Sequence, residues 1–154
     1  MKKHFTLTTL FALMMFLSFT LIGCSTKTTE INAPEVLQSL LTKVDFETEL
    51  APVENNTFLY FPDLPEHTSI NFYNGGGYIA DQTALFTFSD ASECKRAITA
   101  IQTYVKDLSQ QYSSYAPEEA AKIERAVIQQ HGPHLFLCIT NDYESAANIL
   151  NKLG

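Results

Sequence analysis

The N-terminal segment decides which part of the chain can fold. Lys2 and Lys3 precede a mostly apolar stretch over residues 5–22 that is interrupted by five Ser or Thr residues. A transmembrane helix needs about 20 predominantly apolar residues, and the longest unbroken apolar run here spans only residues 10–17. A charged start followed by a short apolar region is typical of a secretory signal peptide, so residues 1–23 are set apart from the folded domain.

The end of this segment predicts how it is removed. Leu21, Ile22 and Gly23 precede Cys24, which is the order of aliphatic, variable and small residues before the cysteine of a bacterial lipobox. Gly23 lets a signal peptidase approach the bond that it cuts, and the Cys24 thiol accepts the diacylglycerol. We expect a lipoprotein on the extracytoplasmic face of the cell membrane, because two acyl chains make attachment stable. The alternatives are an ordinary secreted protein and an uncleaved anchor helix.

Removal of the signal peptide leaves 131 residues, which is the size of one domain. We expect residues 24–33 to hold the lipidated cysteine and a polar spacer, and residues 34–154 to form a single domain. Without Lys2 and Lys3, eight basic residues stand against 17 acidic ones, a net charge of −9. This balance argues against nucleic acid and anionic headgroups as partners, since both attract clustered Lys and Arg.

Hydrophobic spacing predicts the order of helices and strands. One amphipathic helix begins at Pro34, and a longer one follows Asp90, which together with Glu93 resembles a capping box. A short helix begins at Pro117, and a last helix covers residues 143–153. Strands are predicted at residues 57–61, 78–88, 126–130 and 135–139, with an exposed loop over residues 62–77. The order predicts an α+β single domain, a mostly antiparallel sheet of about four strands with helices packed on it.

Several of these segments together resemble a known family. They are residues 80–88 before the long helix, the Tyr-Ala-Pro-Glu-Glu block at 115–119, residues 122–128, and Gly132 before an apolar strand that leads to Asp142. With the lipobox, they resemble the DUF4358 family of bacterial lipoproteins, found chiefly in Firmicutes. The resemblance covers most of residues 34–154, and the turn at residues 131–134 departs from the family pattern. It implies an exported single domain and no particular chemistry.

Cys94 and Cys138 are the two cysteines left beside Cys24. An extracytoplasmic location permits a disulfide between them. Cys94 lies on the apolar stripe of the long predicted helix and Cys138 lies inside an apolar predicted strand, so both are also typical of small buried residues. We leave both interpretations open and favour the buried thiols.

Three other motifs suggest chemistry, and each has a plainer interpretation. His131 and His134 flank a turn and could bind a transition metal, but a third ligand is missing. The three glycines at 75–77 lack the Lys and Ser or Thr of a phosphate loop. Three acidic residues could act as paired acids in hydrolysis, but neighbouring acids at a helix start are ordinarily capping charges. These residues are Glu118, Glu119 and Glu124. We therefore expect no enzyme, no metal and no cofactor.

Six aromatic residues lie between positions 58 and 78 and could form a binding surface. They are Phe58, Tyr60, Phe61, Phe72, Tyr73 and Tyr78. Such rings can line a groove for a ligand, with Tyr73 and Tyr78 as the candidates, or they can simply pack in the core. We expect a non-enzymatic binding or interaction module with an envelope protein as partner. The alternatives are a small-ligand or glycan-binding lipoprotein that uses residues 72–78 and, ranked last, an envelope enzyme.

Overall fold

The centre of the fold is an antiparallel sheet. The computed structural model describes residues 30–153, so the predicted signal peptide and the lipobox lie outside the described residues. Five strands occur in this range: β1 (Ala51–Pro52), β2 (Ser69–Asn74), β3 (Gln82–Thr87), β4 (Val127–His131) and β5 (His134–Ile139). Their order across the sheet is β1-β2-β3-β5-β4. The predicted α+β single domain is confirmed, with one strand more than expected.

Four helices flank the sheet within the described range. They are α1 (Ala33–Lys43), α2 (Ala91–Tyr112), α3 (Pro117–Ile123) and α4 (Tyr143–Asn151). Each lies close to its predicted position, because Pro34 and Pro117 lie in the first turns of their helices and polar caps precede α1, α2 and α4. No helix in residues 30–153 is both long enough and apolar enough to cross a bilayer.

The sheet separates two apolar cores, and β5 contributes to both. Leu135, Leu137 and Ile139 pack in the core under α2 and α3, whereas Phe136 and Cys138 pack in the core under α1 and α4. All five side chains are fully buried. The alternation of side chains along a strand explains the division, and it confirms the prediction that this nearly continuous apolar run forms a strand buried on both faces.

The start of α2 is fixed by two carboxylates, as the sequence predicts. The Asp90 carboxylate accepts a hydrogen bond of 2.8 Å from the backbone N–H of Glu93. The Glu93 carboxylate accepts one of 3.0 Å from the backbone N–H of Ser89, one residue earlier than in a standard capping box. It also lies 3.0 Å from His67 Nε2. The bond from Ser89, and then that from His67, lower the pKa of Glu93.

The strand predicted at residues 57–61 is wrong. Asn56 adopts a left-handed conformation with φ of 61°, and Thr57–Leu59 form a 3-10 turn. Only Phe61 of this run is buried, whereas Phe58 is 61 % and Leu59 is 67 % exposed. Aromatic residues favour strands because they pack against neighbouring strands, and here the outer edge of β2 is already occupied by β1. Without a partner strand, the segment turns instead.

Two strands lie where the sequence predicts none. β2 falls inside the predicted loop at residues 62–77, although its Ile70 and Phe72 alternate with polar residues and pack under α2. Prolines precede this short alternating pattern and glycines follow it, and both residue types indicate a loop, so the sequence predicts a loop here. β1 has two residues and ends at Pro52, which a sheet tolerates at an edge because proline donates no hydrogen bond.

The two described cysteines are free thiols on opposite faces of the sheet. Cys94 lies in the core under α2, and Cys138 lies in the core under α1 and α4. The alternative of a disulfide between them is therefore wrong. Burial raises the pKa of Cys94 to about 11 and that of Cys138 to about 12.

We predict that neither thiol reacts with iodoacetamide in the native protein at mildly alkaline pH. The thiolate is the reactive form, and both raised pKa values keep it scarce. Mass spectrometry should find both positions alkylated only after denaturation in guanidinium, which serves as the control. Rapid labelling of Cys94 or Cys138 in the native state would contradict the described packing.

Candidate functional site

A cavity opens on the side of the sheet that α2 covers. Its volume is about 530 Å³, and its walls come from α2 and from the segments at residues 59–64 and 79–82. A volume of this size is within the range of small-molecule sites. The cavity is therefore the candidate functional site.

Phe61 anchors the wall formed by residues 59–64. Its buried ring centre lies 4.8 Å from that of Phe86, 5.3 Å from that of Phe72 and 4.6 Å from that of Tyr104. The neighbouring Tyr60 ring lies 5.1 Å from Phe72 in an edge-to-face arrangement. Such tilted contacts are the favoured geometry of aromatic pairs. One buried ring thus holds a largely exposed turn against the sheet.

Gln82 and Tyr104 form the most buried polar part of the cavity lining. Gln82 begins β3, is only 2 % exposed and lies opposite α2. The Tyr104 hydroxyl donates a hydrogen bond of 2.8 Å to Gln82 Oε1. Burial raises the pKa of Tyr104, so this hydroxyl keeps its proton at neutral pH. The bond occupies the acceptor end of the Gln82 amide and leaves its donor end, Nε2, for a ligand.

Two further tyrosines lie where α2 ends. The ring centres of Tyr112 and Tyr115 are 5.1 Å apart, and both residues line the cavity. Burial, followed by the proximity of Tyr115, raises the pKa of Tyr112. The tyrosines of the cavity therefore supply ring faces, and Tyr104 and Tyr112 also supply neutral hydroxyls.

The charged residues that line the cavity are acidic. Asp63 and Asp107 are both exposed, and in the described part of the chain neither has an ion pair or side-chain hydrogen bond. Among the described lining residues there is no Lys, Arg or His. The charged side chains of the described lining are therefore all carboxylates, and no cationic side chain lines the cavity to hold an anion.

A buried cluster of charges lies directly behind the wall at residues 79–82. Lys122 of α3 is 2 % exposed, and its Nζ lies 2.8 Å from Asp81, 2.9 Å from Glu47 and 3.0 Å from Glu119. An ammonium group has three donors, and three carboxylates occupy them here. Burial alone would lower the pKa of Lys122, but the bonds to Asp81, Glu47 and Glu119 outweigh it and raise the pKa.

The same carboxylates hold backbone groups around the cavity. The Glu119 carboxylate accepts a bond of 2.6 Å from the N–H of Ala80, a lining residue. The second oxygen of Asp81 accepts a bond of 2.5 Å from the N–H of Glu47. Glu47 also accepts a bond from the Asn141 side chain. The cluster thereby joins the loop after α1, the approach to β3 and helix α3.

The structure places Tyr73 and Tyr78 apart from each other and outside the cavity lining. Tyr73 is half-buried and packs with the core under α1 and α4, on the opposite face from the cavity. Tyr78 lies in the connection between β2 and β3 and is 79 % exposed. The two do not form one surface, and their role in binding stays a prediction.

The predicted histidine and glycine motifs lie elsewhere in the fold. His131 and His134 are paired at the β4–β5 turn, where His134 Nδ1 lies 3.1 Å from Thr87 Oγ1. Burial, and then the charge of His131, lower the pKa of His134. No group of three or more His, Cys, Asp or Glu suited to a metal occurs among the described residues. The glycines at 75–77 form the bend after β2, where a side chain on Gly75 would collide with Thr48.

The three acids singled out in the sequence also have separate positions. Glu118 is exposed, Glu119 belongs to the Lys122 cluster, and Glu124 lies 3.4 Å from the Ser109 hydroxyl. None of them lines the cavity. The sequence analysis missed Gln82, Tyr104 and Lys122, and the available signal was the placement of polar residues within otherwise apolar segments.

Comparison with known proteins finds a family match in the middle and later part of the described chain. Residues 69–140, from β2 through β5, match the family model described as a domain of unknown function (DUF4358). Over this region the chain is similar to the DUF4358 family. Asp81, Gln82, Tyr104 and Lys122 lie in the DUF4358 match, whereas the cavity wall at residues 59–64 precedes it. No curated protein and no solved structure matches the chain significantly.

We predict that Lys122→Met destabilises the protein strongly, because it leaves the buried Asp81 carboxylate and the mostly buried Glu119 carboxylate without their cation. Breaking a buried ion pair costs about 3 kcal/mol or more, which lowers the melting temperature by about 10 °C for a domain of this size. The control is Lys106→Met, since Lys106 is exposed on α2 and forms no ion pair in the described chain.

The pH dependence of this penalty follows from the raised pKa of Lys122. A raised folded-state pKa gives stability that is fully present below the unfolded value of about 10.4 and is lost only above it. The difference between wild type and Lys122→Met in thermal unfolding should thus stay constant from neutral to mildly alkaline pH. Equal melting temperatures of wild type and variant would contradict a structural role for the cluster.

Proposed function

We propose that this protein is a lipid-anchored extracytoplasmic lipoprotein whose domain is a non-enzymatic module that binds a small ligand in the aromatic cavity. The observation that carries the proposal is the cavity itself, about 530 Å³ with aromatic walls and a buried amide donor. Ligand sites are commonly apolar concave surfaces with a few converging polar groups. The expected anchor is Cys24, which lies nine residues before the start of α1.

The chemistry of the lining supports binding over catalysis. General acid–base catalysis is most effective when the pKa of the group lies near the working pH. The pKa values of Tyr104 and Tyr112 are raised by burial, away from neutrality. The described cysteines lie in the two cores and are absent from the cavity lining. The lining groups are thus suited to hydrogen bonding and stacking.

A protein partner in the envelope is the second candidate. Phe58 and Leu59 are more than half exposed at the cavity wall or beside it, and Tyr78 is exposed in the connection before β3. Phe58 and Leu59 are neighbours in the turn at residues 57–59, and exposed apolar side chains that lie together often mark interaction sites. A partner would cover these side chains, whereas a small ligand would leave Phe58 and Tyr78 in water.

We predict that blocking the cavity abolishes ligand binding. The full-length protein, purified from membranes in detergent, should respond in a thermal-shift screen of small aromatic and glycan fragments. A ligand at 100 times its Kd stabilises the folded state by about 2.7 kcal/mol, which raises the melting temperature by about 8 °C. Thr103→Trp places a large ring in the cavity opening and should remove this shift.

The matched control is Gln102→Trp, because Gln102 is exposed on the same helix and is not a lining residue. It should keep the shift, as should Tyr73→Ala with Tyr78→Ala. Loss of the shift in the tyrosine variant alone would move the site to the β2–β3 connection. The absence of any shift, with one reproducible partner crosslinked in cells, would favour the second candidate.

We further predict that Cys24→Ala leaves an unlipidated, incorrectly processed precursor, because no other thiol lies at the lipobox. Labelling with radioactive palmitate and fractionation of cell membranes would measure the effect. Ser25→Ala, one residue later, should be processed and lipidated like the wild type. Normal acylation of the Cys24→Ala chain would refute the anchor without affecting the cavity.

A further inference from the structure

We infer that the cavity binds a small organic amine in its protonated form, with the ammonium group held at the exposed acidic rim and a hydrogen-bond acceptor facing Gln82. The inference rests on the proposed function and names the ligand class. Three independent features of the lining support it: its charge, its rings and its buried donor.

The charge comes from Asp63 and Asp107. Both carboxylates line the cavity, both are exposed, and neither has an ion-pair partner in the described chain. The nearby buried cation, Lys122, cannot neutralise them, since three other carboxylates already occupy its donors. An ammonium group would therefore meet two unpaired carboxylates, whereas a phosphate or carboxylate ligand would be repelled by both.

The rings come from four tyrosines, Tyr60, Tyr104, Tyr112 and Tyr115. Aromatic faces attract cations through the ring quadrupole, and cages of such rings bind alkylated ammonium groups. The same faces cover the apolar body of a ligand. Rings and carboxylates in one cavity thus favour a cation that also has apolar surface.

The buried donor is the Gln82 amide. Gln82 is 98 % buried, and its Oε1 accepts the Tyr104 hydroxyl, so Nε2 is the end left without a partner. Among the described residues only Thr68 Oγ1 is buried without a hydrogen-bond partner, so Gln82 Nε2 is reached by solvent from the cavity, and a ligand acceptor would take the place of that solvent. Since Gln82 is buried and the two aspartates are exposed, the acceptor enters first and the ammonium stays near the rim.

The test compares three probes that share a phenol and differ at the other end. Tyramine ends in an ammonium group, tyrosol in a hydroxyl group and 4-hydroxyphenylacetate in a carboxylate. Calorimetric titration of the full-length protein in neutral detergent buffer should give a Kd for tyramine about fivefold lower than for tyrosol. The carboxylate probe should bind most weakly.

The variant Asp63→Asn with Asp107→Asn keeps the shape of the rim and removes its charge. The preference for tyramine over tyrosol should fall below about twofold, while the Kd of tyrosol stays unchanged. Glu144→Gln with Glu49→Gln removes two exposed acids that do not line the cavity, so it is the charge-matched control and should keep the full preference.

The outcomes separate this inference from the proposed function. Equal or tighter binding of tyrosol, or an unchanged preference in the double variant, would overturn the inference and leave a ligand site. Failure of tyramine to bind would also overturn it. If the fragment screen found no other ligand either, the proposed function would fail with it.

Discussion

The buried ammonium group of Lys122 is the interaction on which the rest of this structure depends. A charge removed from water is tolerated only when its partners supply compensating bonds, and Asp81, Glu47 and Glu119 supply them here. These groups come from the loop after α1, the approach to β3 and helix α3. Because the buried Lys122 ammonium group needs these carboxylates as its bonding partners, three distant parts of the chain are held in one arrangement.

This arrangement also determines the cavity. Glu119 binds the backbone of Ala80, which fixes the wall at residues 79–82, and that wall leads directly to Gln82. The cluster uses its one cation internally, so no positive charge from Lys122 reaches the ligand side. The rim is thus acidic partly because Lys122 is paired with the carboxylates of the cluster. If the Lys122 ammonium group faced the cavity, the lining would include a cation.

Much of the fold could be predicted because its signals are local. The apolar run of β5 and the caps of α2 each depend on a few neighbouring residues, and both predictions are confirmed. The Lys122 cluster has no local signal, since Asp81 and Glu47 lie 41 and 75 positions before Lys122. A lysine in a short helix is expected to be solvated. The strand prediction for residues 57–61 is wrong because pairing there would need a free edge of β2, and β1 occupies that edge.

Residues 57–61, which form a turn instead of a strand, also supply part of the cavity wall. As a turn held mainly by Phe61, they leave Phe58 and Leu59 in water, which forgoes about 25 cal/mol for each Å² of apolar surface left uncovered. Exposed apolar side chains at the rim of a cavity lower the stability of the fold. Natural sequences keep locally unfavourable features of this kind chiefly at functional sites. Phe58 lies outside the cavity lining, so its exposure favours a partner that covers the turn, whereas Leu59 lines the cavity and would be covered by a ligand as well.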